Sequence, residues 1–288
     1  MTATGPVAEA VEDEFRGAGG LRLFFRRFQT PGVEPRRLVV LVHGFADHSG
    51  RYGDLVQHLA GRGAVVYAYD QRGSGLSEGQ RGHVMDYREL LDDLARFVDL
   101  AEQREPGLER VLYAHSTGAI AGFDYALEHP DKLDRIILSA PALILKVRPP
   151  GWKVAVGKGL AGIAPRVSLK AGFDTRHVSR DVDHVLRTMK DPLVSQAIST
   201  RFYREVYLRA APAALARIEA LRVPFLYLHG DADQLVSSDV ADEFRRRAQV
   251  PGEVHVYPGA YHETFADVNR EEVFADIDAW LERPPGPS

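Results

Sequence analysis

The sequence predicts a doubly wound α/β fold: a mostly parallel sheet flanked by helices, with a helical insertion. Three observations lead there. Short runs of valine, leucine, isoleucine and tyrosine recur along the 288 residues, helix-period patterns separate them, and one interval is far too long for a plain strand–helix–strand unit. Runs that are apolar throughout, rather than alternating, suit strands buried on both faces, as a parallel sheet requires.

Residues 1–12 read as a loose tail, and Leu21 to Phe28, which alternates imperfectly, as an early strand. Arg37 to Val42 (RLVVLV) is an apolar run that ends in the turn signal His43-Gly44. Ala64 to Tyr69 is a second run, ended by Asp70. Arg110 to Ala114, Ile136 to Leu138, Pro224 to Leu228 and Val254 to Tyr257 complete the set. Tyr87, Leu90, Leu91, Leu94, Phe97 and Val98 repeat at helical spacing, as do Val273, Phe274, Ile277, Trp280 and Leu281. Strands alternating with helices build an open α/β sheet. Between Ala142 and Arg222, roughly 80 residues separate consecutive strands, where a strand–helix–strand unit takes about 30 in all. A structureless loop of that length is improbable. Residues 142–215 are therefore expected to form a mostly helical cap. It is inserted between the strand near Ile136 and the strand near Phe225, into a core made of residues 1–141 and 216–288.

Composition narrows the function. Net charge is -4, with no basic excess of the kind a nucleic-acid binder carries. The absence of cysteine excludes disulfides, a thiol nucleophile and thiolate-ligated metals. None of the 11 histidines falls in HExxH or another metal spacing, so neither metal nor cofactor is expected. Residues 1–15 lack the basic start and apolar run of a secretory signal. The longest apolar run, Ile136 to Leu145, is interrupted by Ser139 and Pro141 and falls short of the ~20 residues that span a bilayer. A cytoplasmic protein is the expectation.

The third of the full apolar runs leads into Ala114-His115-Ser116-Thr117-Gly118-Ala119, followed by a helical stretch. Small-x-Ser-x-Gly between strand and helix is the nucleophile elbow of α/β-hydrolases, a sharp turn that exposes the serine above the sheet edge. The bland alternative, a serine that merely caps the helix, is weighed against the partners found downstream. A serine hydroxyl needs a base, and the base needs an orienting carboxylate, in the chain order Ser, Asp or Glu, His. The fifth of those runs is followed by Asp231-Ala232-Asp233, and the sixth by Gly259-Ala260-Tyr261-His262. Asp233 is expected as the acid, since the loop must clear the strand end before it turns toward the histidine. Asp231, its rival, suits a turn. His262 follows a glycine-containing turn, whereas its rival His255 lies within a strand. The backbone N–H groups of Phe45 and Thr117 are the expected oxyanion donors. His43 is a candidate for ordering the Phe45 loop.

Several further stretches resemble the monoacylglycerol lipase and lysophospholipase branch of the α/β-hydrolases, often labelled serine aminopeptidase S33 or hydrolase-4. His43-Gly44-Phe45-Ala46-Asp47-His48-Ser49-Gly50-Arg51-Tyr52 is similar to that family's HGxxEHSGRY, with Asp47 in place of glutamate. Asp70-Gln71-Arg72-Gly73-Ser74-Gly75-Leu76-Ser77 resembles its DxRGHGxS, with Ser74 in place of histidine. Gln80 to Val84 resembles its RGHV, and Asp191-Pro192-Leu193 its DPL. The family's GHSMGG reads AHSTGA here. The resemblance implies an ester hydrolase with Ser116, Asp233 and His262 as the triad, and a monoacylglycerol as substrate. A lysophospholipase or a general carboxylesterase is the nearer rival, and a non-catalytic binding protein on the same fold the remoter one. Substrate contacts are expected from His43, His115 and the cap residues Leu143, Leu145, Trp152, Leu160 and Ile163. The cap's apolar residues with Lys153 and Lys158 also fit transient contact with a membrane or micelle, that is, peripheral association. Equally, they fit the cap's own small core.

Overall fold

The computed structural model describes residues 7–147, 159 and 161–284. Its main sheet has eight strands in the order β1-β2-β4-β3-β5-β6-β9-β10. These are β1 (Glu9–Arg16), β2 (Arg22–Gln29), β3 (Arg37–Val42), β4 (Ala64–Tyr69), β5 (Glu109–His115), β6 (Arg135–Ser139), β9 (Phe225–Gly230) and β10 (Gly252–Tyr257). The pairs β1–β2 and β2–β4 are antiparallel, and the rest of the sheet is parallel.

The apolar runs are explained by what covers each face. In β3, Leu38, Val40 and Val42 face one core, while Val39 and Leu41 face the other. The same alternation holds for Val65 and Tyr67 against Val66 and Ala68 in β4. Helices α1 (Gly53–Gly61), α2 (Arg88–Arg104) and α3 (Thr117–Glu128) follow β3, β4 and β5 in turn. Helix α2 buries Leu90, Leu91, Leu94, Phe97 and Val98 of the stripe read from the sequence, and Ala101 with them; Tyr87 precedes the helix and is half-buried.

One expectation is corrected. Residues 9–12, read as part of a loose tail, belong to edge strand β1. Only Phe15 of that strand is buried, so no apolar alternation marks it. Its backbone ladder, from Glu9 opposite Gln29 to Arg16 opposite Arg22, holds it to β2. Its four acidic side chains suit an edge that must not pair with another chain.

Between β6 and β9 the described residues hold more than helices. Strands β7 (Ser168–Lys170) and β8 (Ala197–Ser199) form a small antiparallel pair. Helix α4 (Val182–Lys190) lies between them in the chain. A π-helix, Tyr203–Ala210, continues into α5 (Ala211–Ala216), whose Ala211 and Ala214 join the core beside α3. Helices α6 (Val240–Arg247) and α7 (Arg270–Leu281) complete the chain. No helix among the described residues is long and apolar enough to cross a membrane.

Candidate active site

Strand β5 ends at His115, and α3 begins at Thr117. Ser116, between them, takes φ 53° and ψ −118°. That backbone is costly for a residue with a Cβ, and it is held by its surroundings. The Ser116 N–H donates to Ser139 O at 2.8 Å, and the Ser116 carbonyl accepts from Ala142 N at 3.0 Å. The turn also needs close approach. A Cβ on Gly118 would lie 2.3 Å from His43 O, and one on Gly44 would lie 3.0 Å from Ser116 Cβ. Ala114 fits where the usual motif has glycine because Gly122 faces it: a Cβ there would come within 2.6 Å of the alanine methyl.

Ser116 Oγ lies 2.8 Å from His262 Nε2. His262 Nδ1 lies 2.6 Å from Asp233 Oδ2. The ionised carboxylate can only accept, so Nδ1 carries the proton and Nε2 is left to accept from the serine. Asp233 Oδ1 takes the N–H groups of Leu235 and Val236 at 2.7 and 3.0 Å. Burial alone would raise the Asp233 pKa, but the two histidines facing it, His262 and His229, pull it far below the ordinary carboxylate value. For His262, burial works to lower the pKa. The Asp233 carboxylate overcomes that, with Glu263 and Asp47 adding, and the result is raised above the ordinary value. Of the rivals, Asp231 accepts from Gly259 N and closes its own turn. His255, in β10, pairs with Glu253 and Asp276.

The N–H of Thr117 is the first of α3, where no intrahelical acceptor exists. It and the N–H of Phe45 are committed to no other group among the described residues. His43 does not face the cavity. It is buried, its Nδ1 donates to Gly44 O at 2.7 Å, and its Nε2 accepts from Gln71 N at 2.9 Å. It thus fastens the Phe45 turn to the chain leaving β4.

A cavity of about 790 Å³ opens over Ser116. Its walls are mainly apolar and include Phe45, Leu145, Phe173, Ile198, Tyr207 and Val236. His115 and Leu145 line it as expected. Leu143 does not: it turns inward and joins the core. Ile163 is 88% exposed and does not line this cavity. Trp152 and Leu160, with Lys153 and Lys158, lie outside the described residues.

The cavity also has a charged wall that sequence reasoning did not assign. Arg51 bonds Asp47 at 2.7 Å, Glu263 at 3.0 and 2.8 Å, and Thr188 on α4 at 2.7 Å. His184 of α4 lies 2.5 Å from Glu263. Arg51 stood in a resemblance motif and Glu263 beside His262, but their partners lie as much as 212 residues away. Other motif residues prove to be scaffolding. His48 meets Asp191 of the DPL stretch at 2.9 Å, and Asp70 accepts from Ser49 N and Leu76 N. Thr117, where the family has methionine, bonds Tyr207 of the π-helix at 2.7 Å. Among the described residues, no three or more His, Cys, Asp or Glu side chains are arranged to hold a metal ion.

Comparison with known proteins identifies the family. The family described as serine aminopeptidase, S33 matches residues 33–269. The monoacylglycerol lipase of Mycolicibacterium smegmatis is 34% identical over 273 residues, 94% of this chain and 96% of that protein. The human monoglyceride lipase is 31% identical over 268 residues, 92% of this chain and 88% of that protein. The crystal structure of the Paleococcus ferrophilus monoacylglycerol lipase superposes with a TM-score of 0.79 at 33% identity, covering 95% of this chain and 98% of that one. With an α/β-hydrolase sheet, a serine on a strained strand–helix turn and a matched family that spans most of its length, the chain belongs to the serine aminopeptidase S33 family of α/β-hydrolases and is a serine hydrolase.

Proposed function

We propose that this protein is a monoacylglycerol lipase that releases a fatty acid and glycerol through an acyl-enzyme on Ser116. The observation that carries the reading is the hydrogen-bonded chain Ser116–His262–Asp233 opening onto a largely apolar cavity of about 790 Å³. A cavity of that size and lining accepts an acyl chain. Supporting it, the relatives named above are themselves monoacylglycerol lipases.

In this mechanism His262 takes the Ser116 proton as the alkoxide attacks the ester carbonyl. The tetrahedral oxyanion is held by the amides of Phe45 and Thr117. His262 then protonates the departing glycerol oxygen and later activates the water that splits the acyl-enzyme, while Asp233 holds the imidazole in the correct tautomer. Residues 142–215 act as a cap that shapes the acyl site. The test is kcat/KM for 1-monoacylglycerols of increasing chain length, beside lysophosphatidylcholine and a short-chain activated ester. Medium- or long-chain monoacylglycerols are expected to be the best substrates. Preference for the lysophospholipid, or cleavage of the short ester alone, would remove the lipase assignment and leave a serine esterase.

A second reading concerns the cap's outer surface. Helix α4 exposes Val182, Leu186 and Met189 on one face, with Arg187 and Lys190 beside them, and buries His184, Val185 and Thr188 on the other. Exposed Val147 and Leu169 line the cavity mouth. Apolar side chains flanked by cations suit transient contact with an anionic lipid surface. The Leu186→Glu/Met189→Glu protein should co-sediment with phosphatidylglycerol vesicles several-fold less than the parent. Equal sedimentation of the two would sink this reading.

A further inference from the structure

We propose that His229 is a positioning residue for the hydrolytic reaction, holding the Asp233 carboxylate through the same oxygen that faces His262; this rests on the assignment of Ser116, Asp233 and His262 as the triad. His229 is fully buried near the end of β9. Its Nε2 lies 3.0 Å from Asp233 Oδ2, the atom that His262 Nδ1 approaches at 2.6 Å. Its Nδ1 lies 2.7 Å from the hydroxyl of Tyr227, two residues earlier on the same strand face.

The protonation pattern follows from the partners. Oδ2 of an ionised carboxylate can only accept, so His229 Nε2 carries a proton. In the neutral ring Nδ1 then accepts, and the Tyr227 O–H is its donor. Burial lowers the His229 pKa more than Asp233 raises it, which favours this neutral ring. Tyr227 therefore fixes the tautomer of His229, as Asp233 fixes that of His262. With Leu235 and Val236 on Oδ1, four donors converge on one carboxylate. None of them can be supplied by water, because Asp233 and His229 are both closed off from solvent.

Two consequences follow for the base. The carboxylate cannot rotate away from His262 during the cycle. Its charge is also shared between two imidazole donors, so it holds the His262 imidazolium less tightly than a singly bonded carboxylate would. Other charges facing these rings are few. Lys146, whose Nζ bonds Asp233 O at 2.6 Å, lies toward His229. Asp47, Glu263 and His115 face His262, with Arg51 neutralising the first two.

The experiment compares His229→Leu, His229→Gln and Tyr227→Phe with the parent. Readouts are the pH profile of kcat/KM on one soluble ester and the low-field proton resonance of the His262 Nδ1–H. His229→Leu leaves the Asp233 carboxylate less firmly oriented toward His262, and kcat should fall roughly tenfold, about 1.4 kcal/mol of transition-state stabilisation. Its acid limb should move up by about half a pH unit as the imidazolium is held more tightly, and the resonance should move further downfield. Glutamine, whose amide N–H can reach the same oxygen, should restore both readouts toward the parent. Tyr227→Phe frees the tautomer and should shift the limb in the same direction by less, which keeps the test decisive if the leucine protein does not fold. An acid limb and a resonance unmoved in the folded variants would overturn the proposal, as would a limb that moves down. Ser116→Ala is run beside them: if it retains activity, the triad assignment fails, which is a different result from unmoved His229 profiles.

Discussion

Replacing either Ser116 or His262 by alanine will lower kcat by about 10⁵- to 10⁶-fold, and replacing both will lower it no further. In the proposed mechanism the two side chains act as one device across their 2.8 Å contact. Without the base, the hydroxyl is a weak nucleophile. Without the hydroxyl, the base has nothing to activate. What should persist is binding plus the proposed amide donors of Phe45 and Thr117, which the double variant keeps. Single-turnover kinetics on a chromogenic ester would check the non-additivity. If the double variant falls much further than either single one, the two residues work independently and the mechanism above is wrong.

The same geometry sets the direction of the pH dependence. Only neutral His262 can take the serine proton. Its pKa is raised above the ordinary imidazole value because the Asp233 charge outweighs burial. Activity in kcat/KM is therefore full above that raised pKa and is lost as the pH falls through it. The acid limb should sit above the ordinary value of about 6.5. A profile flat down to pH 4 would contradict the role given to His262.

How much of this was legible beforehand depended on how local each signal is. The central strands could be read because burial on both faces leaves an unbroken apolar run, as in β3 and β4. Strand β1 could not, because an edge strand with one buried side chain is specified by its backbone ladder. The elbow could be read because its geometry restricts residue size at Gly118 and Ala114, close to Ser116 in the chain. The choice of Asp233 over Asp231 rested only on where the loop clears the strand end: both are two-atom acceptors in one loop, and the direction of the turn sends one to His262 and the other to Gly259. Residues 142–215 were also poorly legible. Leu143 and Leu145 are two residues apart, yet one enters the core and the other the cavity. The short β7–β8 pair has no alternation long enough to read. Least visible of all was the buried charge around Arg51, since its partners come from three separate stretches of chain, at Asp47, His184–Thr188 and Glu263.

That network gives the second large effect, this time on stability. Arg51→Met should destabilise the protein by about 3–5 kcal/mol, the usual result of taking one partner from a buried ion cluster, and should lower Tm by about 10 °C. The guanidinium fills a position that Asp47, Glu263, Thr188 and His184 all address, and both carboxylates are almost closed off from solvent. Methionine fills much of the volume but leaves two buried negative charges facing each other. Arg51→Lys should recover only part of the loss, because a single ammonium cannot reproduce the forked contacts. The pH dependence supplies the check. Burial alone would raise the Glu263 pKa, but Arg51 and His184 hold it well below the ordinary value, and Arg51 does the same for Asp47. Groups with depressed pKa values stabilise the fold above their unfolded values, near pH 4, and lose that contribution as the pH falls. The stability gap between parent and Arg51→Met should accordingly be full at pH 7 and narrow below about pH 4.5. Since Arg51 also ties α4 over the cavity through Thr188, KM should rise in the variant more than kcat falls. A melting point within a degree or two of the parent, or a gap that does not change with pH, would mean that the cluster is held by packing rather than by charge compensation.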